Sequence, residues 1–472
     1  MTIDDGQRRG AGTRLATHEL ERYESLFASR TSDLRSSAMR DMMSLTERPE
    51  VISLAGGLPD TSTFPPELFA KLMSHVAAES SAKALQYGPT EGLSATVQAV
   101  SQVMLEEQTS VDPDEVLITT GGQQVIDLVC KTFLDAGETI IAEAPTYPGA
   151  VPTFSAYQAK VVQVDVDAEG MPIDALEAQL DALQAEGIKP KFIYTIPNFQ
   201  NPGGVTMALP RRQRLVEVAR EREIIVLEDN PYGLLRYEGT PLPTLYSLDA
   251  RLAGRGGASD FVIYLGTFSK ILSPGVRLGW AVAPRPVLEK LNLCKQGADL
   301  CSSPVTQLFV AAYFAQHDWR GYIDQLRDLY RRRRDAMLQA LEAHFGHDAQ
   351  WTRPQGGMFV WATLPDYIDT TDLLARALET EDVAFVPGRA AYLDGRGGSS
   401  MRLNFAGVSE QDIAEAVKRI GSVVSEQVGL FGTLTGKMRT QASDHRAAAE
   451  SSLAEVLPLP RRTERSSERR RR

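Results

Sequence analysis

The sequence predicts an α/β protein: a large domain with a mainly parallel sheet covered by helices on both faces, and a smaller α+β domain beside it. Short apolar runs of strand length recur at 116–120, 139–143, 161–166, 192–196, 224–228 and 261–265. Helix-patterned segments lie between several of them, which is how parallel strands must be connected. After about residue 300 the texture changes to one long charged helical stretch and a few isolated apolar strands.

Taken in order, residues 1–30 are polar and weakly patterned and read as a flexible arm. Leu34, Ala38, Met42 and Leu45 repeat at helical spacing and predict a helix over 33–46. Val116-Leu117-Ile118-Thr119-Thr120 reads as a strand, after which Gly121-Gly122 opens a helix with Val125, Val129 and Phe133 on its apolar side. A helix over 211–223 follows Pro210, whose fixed φ suits a first helical turn. A helix over 319–345, strands over 357–364 and 401–405, and a helix over 410–424 complete the folded body. The expected divisions are the arm (1–30), an N-terminal segment packing with the small domain (31–75), the large domain (76–304), the small domain (305–428) and a disordered tail (429–472). No fixed-period repeat indicates a solenoid or propeller.

The 472 residues are 43% hydrophobic and 24% charged, an ordinary soluble composition. No apolar run approaches the roughly 18–20 residues of a membrane span, and Met1-Thr2-Ile3-Asp4-Asp5 offers no signal-peptide core. Cys130, Cys294 and Cys301 have neither metal-ligand spacing nor a paired framework, so the expectation is free thiols in a reducing cytoplasm. The net charge of −11 argues against nucleic-acid affinity of the folded body. It is unevenly spread: residues 461–472 hold seven arginines and two glutamates, a local +5 that leaves −16 for the rest. His344 and His347 have metal-compatible spacing without a further ligand pattern, so no metal is expected.

The stretch richest in chemistry is Gly266-Thr267-Phe268-Ser269-Lys270, with Arg277 on a glycine-flanked turn seven residues later. A lysine just past an apolar strand, close to hydroxyls and a fixed cation, suits an amine that forms an imine with an aldehyde cofactor whose phosphate is anchored nearby. Pyridoxal phosphate has those requirements. The other parts it needs have candidates. Asp229 ends an apolar strand and can face the pyridine nitrogen; Tyr232 and Asn201 can bond the phenolic oxygen. Gly121-Gly122-Gln123, between a strand and a helix start, offers free N–H groups to the phosphate alongside Thr267, Ser269 and Arg277. Arg402, inside an apolar strand, can clamp an α-carboxylate with two parallel hydrogen bonds. Read singly, each also fits an ordinary structural role: a capping aspartate, a turn, a solvent-facing arginine.

Together these residues spell a family. From about 33 to 425 the chain resembles the fold-type I pyridoxal-phosphate aminotransferases of class I/II, and most closely the branch with 2-aminoadipate aminotransferases and the aminotransferase-like half of one bacterial regulator class. The matching stretches are Ser53-Leu54-Ala55-Gly56-Gly57-Leu58-Pro59, Leu85-Gln86-Tyr87-Gly88-Pro89-Thr90-Glu91-Gly92, Glu143-Ala144-Pro145-Thr146-Tyr147, Asn201-Pro202-Gly203-Gly204, 266–270 and 401–405. The resemblance implies that Lys270 is the Schiff-base lysine and Asp229 the pyridine-nitrogen partner. Asn201 and Tyr232 bond the phenolic oxygen, and Tyr147 stacks on the ring. Gly122, Gln123, Thr267, Ser269 and Arg277 hold the phosphate, with Tyr87 reaching across from a second subunit of a homodimer. Arg402 takes the α-carboxylate, the Gly57 backbone approaches the substrate, and Arg40 (Arg35 as a weaker alternative) receives the distal carboxylate of an acidic donor such as glutamate or 2-aminoadipate. An aromatic or branched donor is the alternative, and 2-oxoglutarate is the common acceptor.

Two rivals share these residues. The same cofactor supports β-elimination, decarboxylation and racemisation, and sequence does not choose among them. A non-catalytic regulator using the cofactor as a sensor would carry an N-terminal helix-turn-helix module, for which the roughly 30 residues before the matched region are expected to be too few.

Overall fold

Alternation of side chains along buried strands explains how one sheet serves two cores. In the computed structural model, which describes residues 23, 25–31, 34, 48–254 and 258–435, seven strands form the main sheet. They are β2 (Val116–Thr119), β3 (Thr139–Ala144), β4 (Lys160–Asp165), β5 (Phe192–Thr195), β6 (Ile225–Asp229), β7 (Val262–Thr267) and β8 (Gly279–Val282), in the order β2-β8-β7-β6-β5-β3-β4. Only β8 runs antiparallel to its neighbours. Ile118, Ile141, Ile193, Val226 and Val262 face one core, with helices Ser94–Glu106, Ile173–Ala185, Leu209–Arg222 and Pro304–Gln316. Leu117, Ile140, Phe192, Leu227 and Ile263 face the other, with helices Gly122–Phe133 and Arg285–Gln296. Each such side chain taken fully out of water contributes roughly 1.5–3 kcal/mol before entropy is counted. The edge strand β4 is mostly part-exposed, as an unprotected edge requires.

A second sheet, entirely antiparallel, has the order β12-β13-β10-β9, from β9 (Gln350–Trp351), β10 (Phe359–Thr363), β12 (Val386–Pro387) and β13 (Ser400–Asn404). A two-residue parallel pair joins β1 (Ile52–Ser53) to β11 (Val383–Ala384). Chain contacts divide the molecule into a unit of residues 1–425 and a unit of residues 426–472.

The expected strands and the helices that open at Gly122 and Trp319 are present, and Pro210 sits in the first turn of helix Leu209–Arg222. The two-residue strands β1, β9, β11 and β12 have no counterpart among the expected elements, and two larger features differ. Strand β8 was not anticipated, because Gly279 reads as part of a turn; its partners on β2 and β7 create it, and Trp280 fills the space above Gly266. The final helix runs from Glu410 to Thr435, beyond the expected end at 424, since no proline interrupts the chain there. Of the helix expected over 33–46 only Leu34 is described; Arg35, Arg40 and the arginine-rich end lie outside the described residues. No described helix is long and apolar enough to cross a membrane.

Candidate active site

Parallel strands collect their following loops at one sheet edge. β2 leads to Gly121-Gly122, β3 to Tyr147, β5 to Asn201, β6 ends on Asp229, and β7 leads to Lys270. Antiparallel β8 brings its first residue, Gly279, and the preceding Arg277 to the same edge. A cavity of about 390 Å³ opens there, lined by Gly57, Gly122, Gln123, Tyr147, Asn201, Asp229, Tyr232, Thr267, Ser269, Lys270, Arg277 and Arg402. Thus the structure brings together every anticipated site residue except Tyr87, which is 78% exposed and does not line the cavity, and Arg40, which lies outside the described residues.

The turn after β7 is anchored by Phe268, whose ring meets Trp280 at 4.9 Å and Phe314 at 5.3 Å. Lys270 consequently turns inward, and its Nζ donates to the Gly57 carbonyl at 2.6 Å. Burial pushes the Lys270 ammonium down to about 8, helped by the Arg402 and Arg277 guanidinium groups. Asp229 accepts a 2.6 Å hydrogen bond from the Tyr194 hydroxyl and has no ion-pair partner among the described residues. Burial pushes its carboxyl up to about 6, partly offset by Tyr194.

Near Gly121, backbone geometry shapes a corner that could cradle an anion. Gly121 has φ of +79°, and a Cβ there would lie 2.6 Å from the Arg277 guanidinium, so only glycine fits. The helix start at Gly122 aims free N–H groups and its positive end at the same place. Arg277 itself adopts φ of +47°, turning back after the short helical turn Pro274–Val276. Thr267 donates to Ser269 Oγ at 2.9 Å, and the Ser269 N–H donates to Thr267 Oγ1 at 3.1 Å, which fixes both hydroxyls. The Gln123 side chain is turned aside to Gly149 O and Thr153 Oγ1, leaving its backbone for the cradle.

On the opposite wall Arg402 is fully buried. It donates to Asn201 Oδ1 at 3.0 Å and to Ala55 O at 2.7 Å, and lies 4.3 Å over the Phe359 ring. Asn201 also donates to the Tyr232 hydroxyl at 3.4 Å, so it stands between the arginine and the tyrosine.

Several participants escaped the sequence reading. Leu58, Ile126, Ile196, Leu265, Pro231 and Pro274 complete the lining. Tyr194 had a legible signal: a hydroxyl inside a buried strand needs a partner. Glu143 is also buried, accepting from Thr195 Oγ1 (2.6 Å), Gln200 Nε2 (3.1 Å) and Ile196 N (3.2 Å), which ties the Tyr147 loop to the Asn201 loop. Among the described residues no cluster of His, Cys, Asp and Glu could hold a metal.

The set fits a phosphorylated, cationic aromatic aldehyde. Lys270 is the amine, the buried Asp229 carboxylate lacks a cation, and the Gly121–Arg277 corner would hold an anion. An amine, a carboxylate and a buried arginine surround one cavity. The comparisons with known proteins agree. Residues 49–420 match the family described as Aminotransferase class I and II. The chain is 42% identical over 407 residues to aromatic-amino-acid aminotransferase 1 of Thermococcus litoralis, covering 86% of this chain and 95% of that one. Kynurenine aminotransferase from Pyrococcus horikoshii, solved with PMP, is 40% identical with a TM-score of 0.80, covering 87% and 99%. The α-aminoadipate aminotransferase of Thermus thermophilus, solved with N-(5'-phosphopyridoxyl)-L-leucine, is 38% identical with a TM-score of 0.79, covering 86% and 99%. The chain belongs to the class I and II aminotransferases, and its fold is that of fold-type I.

Proposed function

We propose that the 390 Å³ cavity holds pyridoxal phosphate and that the chain moves an amino group between an L-amino acid and a 2-oxo acid there. What supports this most is the pairing of a buried, cation-less carboxylate (Asp229) with a depressed amine (Lys270) in one cavity. Bound there, the cofactor would supply an aldehyde carbon that joins to amines and a cationic ring that draws electrons from the substrate.

The chain's own residues do the rest. Lys270 Nζ takes the α-proton of the amino acid as general base, a task that suits a pKa near the working pH. Asp229 supplies a fixed negative charge to the ring nitrogen, with Tyr194 fixing its orientation. Asn201 and Tyr232 would bond the phenolic oxygen, and Tyr147 would lie against the ring. Arg277, Thr267, Ser269 and the backbone at Gly122 and Gln123 would hold the phosphate. Arg402 clamps the α-carboxylate, and the Gly57 carbonyl, 2.6 Å from Lys270 Nζ, holds the amine when it is free.

Two copies would complete each other's sites through the exposed Tyr87, with 76–304 as the cofactor-binding domain and 305–428 as the smaller one. A fully active monomer in light scattering would refute the shared site. For the donor, Arg40 favours glutamate or 2-aminoadipate. A second reading, aromatic donors, is favoured by Leu58 in the lining and by the aromatic-amino-acid and kynurenine names of two relatives.

Visible spectra of the cofactor-loaded protein with single amino acids, and 2-oxo acid measured in the same samples, decide the donor. The expected result is stoichiometric conversion, with acidic donors foremost and selectively weakened in Arg40→Ala. Loss of aromatic and acidic donors alike in that variant would refute the Arg40 role. Ammonia, carbon dioxide or D-amino acid as the main product would replace transamination by another reaction.

A further inference from the structure

Behind the cavity a chain of buried side chains joins the two loops on which this reading of the site depends. Arg212 and Tyr264 are fully buried, and Asn198 and Asn230 are nearly so. Arg212 donates to Asn198 Oδ1 at 2.7 Å, Asn198 Nδ2 donates to Asn230 Oδ1 at 2.9 Å, and Asn230 Nδ2 donates to Glu107 Oε2 at 2.7 Å. Tyr264 also donates to Glu107 Oε2 at 2.7 Å and stands 3.1 Å from Asn230 Nδ2. None of the five lines the cavity.

The ends dictate the direction of this chain. A guanidinium only donates, so the Asn198 oxygen must face Arg212 and its amide must point onward. Asn230 then has to present its oxygen to Asn198 and its amide to Glu107. Glu107 Oε2 accepts both of its bonds whether or not Oε1 carries a proton. Burial pushes the Glu107 carboxyl up to about 8, against the Tyr264 hydrogen bond. Each amide has one productive orientation, and both loops are held by it.

The placement of the two asparagines is what gives the chain a consequence. Asn230 lies between Asp229 and Pro231, and two residues before Tyr232. Asn198 lies three residues before Asn201. Asp229, Tyr232 and Asn201 line the cavity from two loops that follow different strands. The Asn198–Asn230 bond is a direct side-chain link between those loops. Arg212 also binds Pro197 O at 2.8 Å and Met207 O at 2.9 Å, which fixes the Asn198 loop to helix Leu209–Arg222. Glu107, at the end of helix Ser94–Glu106, packs under Gly233, where a Cβ would collide with its Oε1. The two loops are thereby anchored to two different helices and to each other.

We propose that the Arg212–Asn198–Asn230–Glu107 chain is a positioning device that sets the spacing between the Asp229–Tyr232 loop and the Asn201 loop, so that it controls how tightly the cofactor is held. The proposal rests on pyridoxal phosphate occupying this cavity.

The test is isosteric. Asn198→Asp keeps the shape and the Arg212 bond but cannot donate to Asn230, opposing two oxygens instead. Equilibrium titration of the cofactor-free protein with pyridoxal phosphate is expected to show a dissociation constant about tenfold higher or more, with an altered visible band. At the other end, Glu107→Gln keeps an acceptor for Asn230 and Tyr264 and should stay within about threefold of wild type, whereas Glu107→Ala should weaken binding like Asn198→Asp. This pair repeats the test if Asn198→Asp does not fold. Dissociation constants and visible bands equal to wild type in Asn198→Asp and Glu107→Ala, with only a lower thermal midpoint, would reduce the chain to a structural role and overturn the proposal. Equal weakening by Glu107→Gln and Glu107→Ala would overturn it as well. A wild type that takes up no pyridoxal phosphate would overturn the cofactor reading, and this proposal with it.

Discussion

Lys270→Ala is expected to lower transamination turnover by about 10⁴-fold, the upper end for removing a positioned proton-transfer group. Among the described residues the cavity lining holds no other amine; its remaining basic side chains are the guanidinium groups of Arg277 and Arg402. The assay is 2-oxo acid release in single-donor incubations with added pyridoxal phosphate, and turnover within tenfold of wild type would refute the assignment. The pH dependence follows from the same amine. The neutral form is reactive, and burial with two nearby guanidinium groups brings its pKa from 10.5 to about 8. Capture of the aldehyde by cofactor-free protein should therefore accelerate as pH rises to about 8 and level off above. A rate still climbing at pH 10 would mean an unperturbed lysine.

Asp229→Ala is expected to keep the fold and lose roughly 10²–10³-fold in turnover, the magnitude of removing one preorganised electrostatic contact. Its carboxylate is buried with one hydrogen bond, from Tyr194, and no cation among the described residues to balance it. That arrangement is costly for the empty protein and useful only when a cation is brought to it. The sign of the stability effect follows. With its pKa raised from 3.8 to about 6, the folded protein binds the proton more tightly than the unfolded chain. Burying the ionised group thus costs stability that grows as pH rises from about 4 to 6 and is fully present above. At pH 8 the cofactor-free variant should unfold at the same temperature as wild type or higher, while its activity collapses. Near-normal turnover would refute the role; a large fall in midpoint would show a structural one.

Much of the site was legible because its parts are local. Lys270, Asp229 and the Gly121-Gly122 turn each follow an apolar run directly, and the C-terminal edge of a parallel sheet is where such residues gather. Arg402 stood out as a charge inside an apolar strand, and it is fully buried there. What the sequence hid has the opposite character. β8 is four residues long and begins with glycine; it is a strand only because β2 and β7 pair with it. The Tyr194 hydroxyl is visible in the sequence, but its partner is Asp229, 35 positions away, and nothing local names it.

By itself, then, the sequence determined the chemical repertoire and the order of the strands and loops that carry it. Apolar runs and turn residues act over a few positions and need no partner to be read. The tertiary structure alone decided which groups face one another. Lys270 meets the carbonyl of Gly57 across 213 positions, and Arg402 meets Asn201 across 201. Glu107, Asn198, Asn230 and Arg212 became one hydrogen-bonded chain only when two strands and two helices packed together. Such pairings depend on which buried polar groups are left to satisfy one another after the apolar faces have closed, a condition set by the whole packed core.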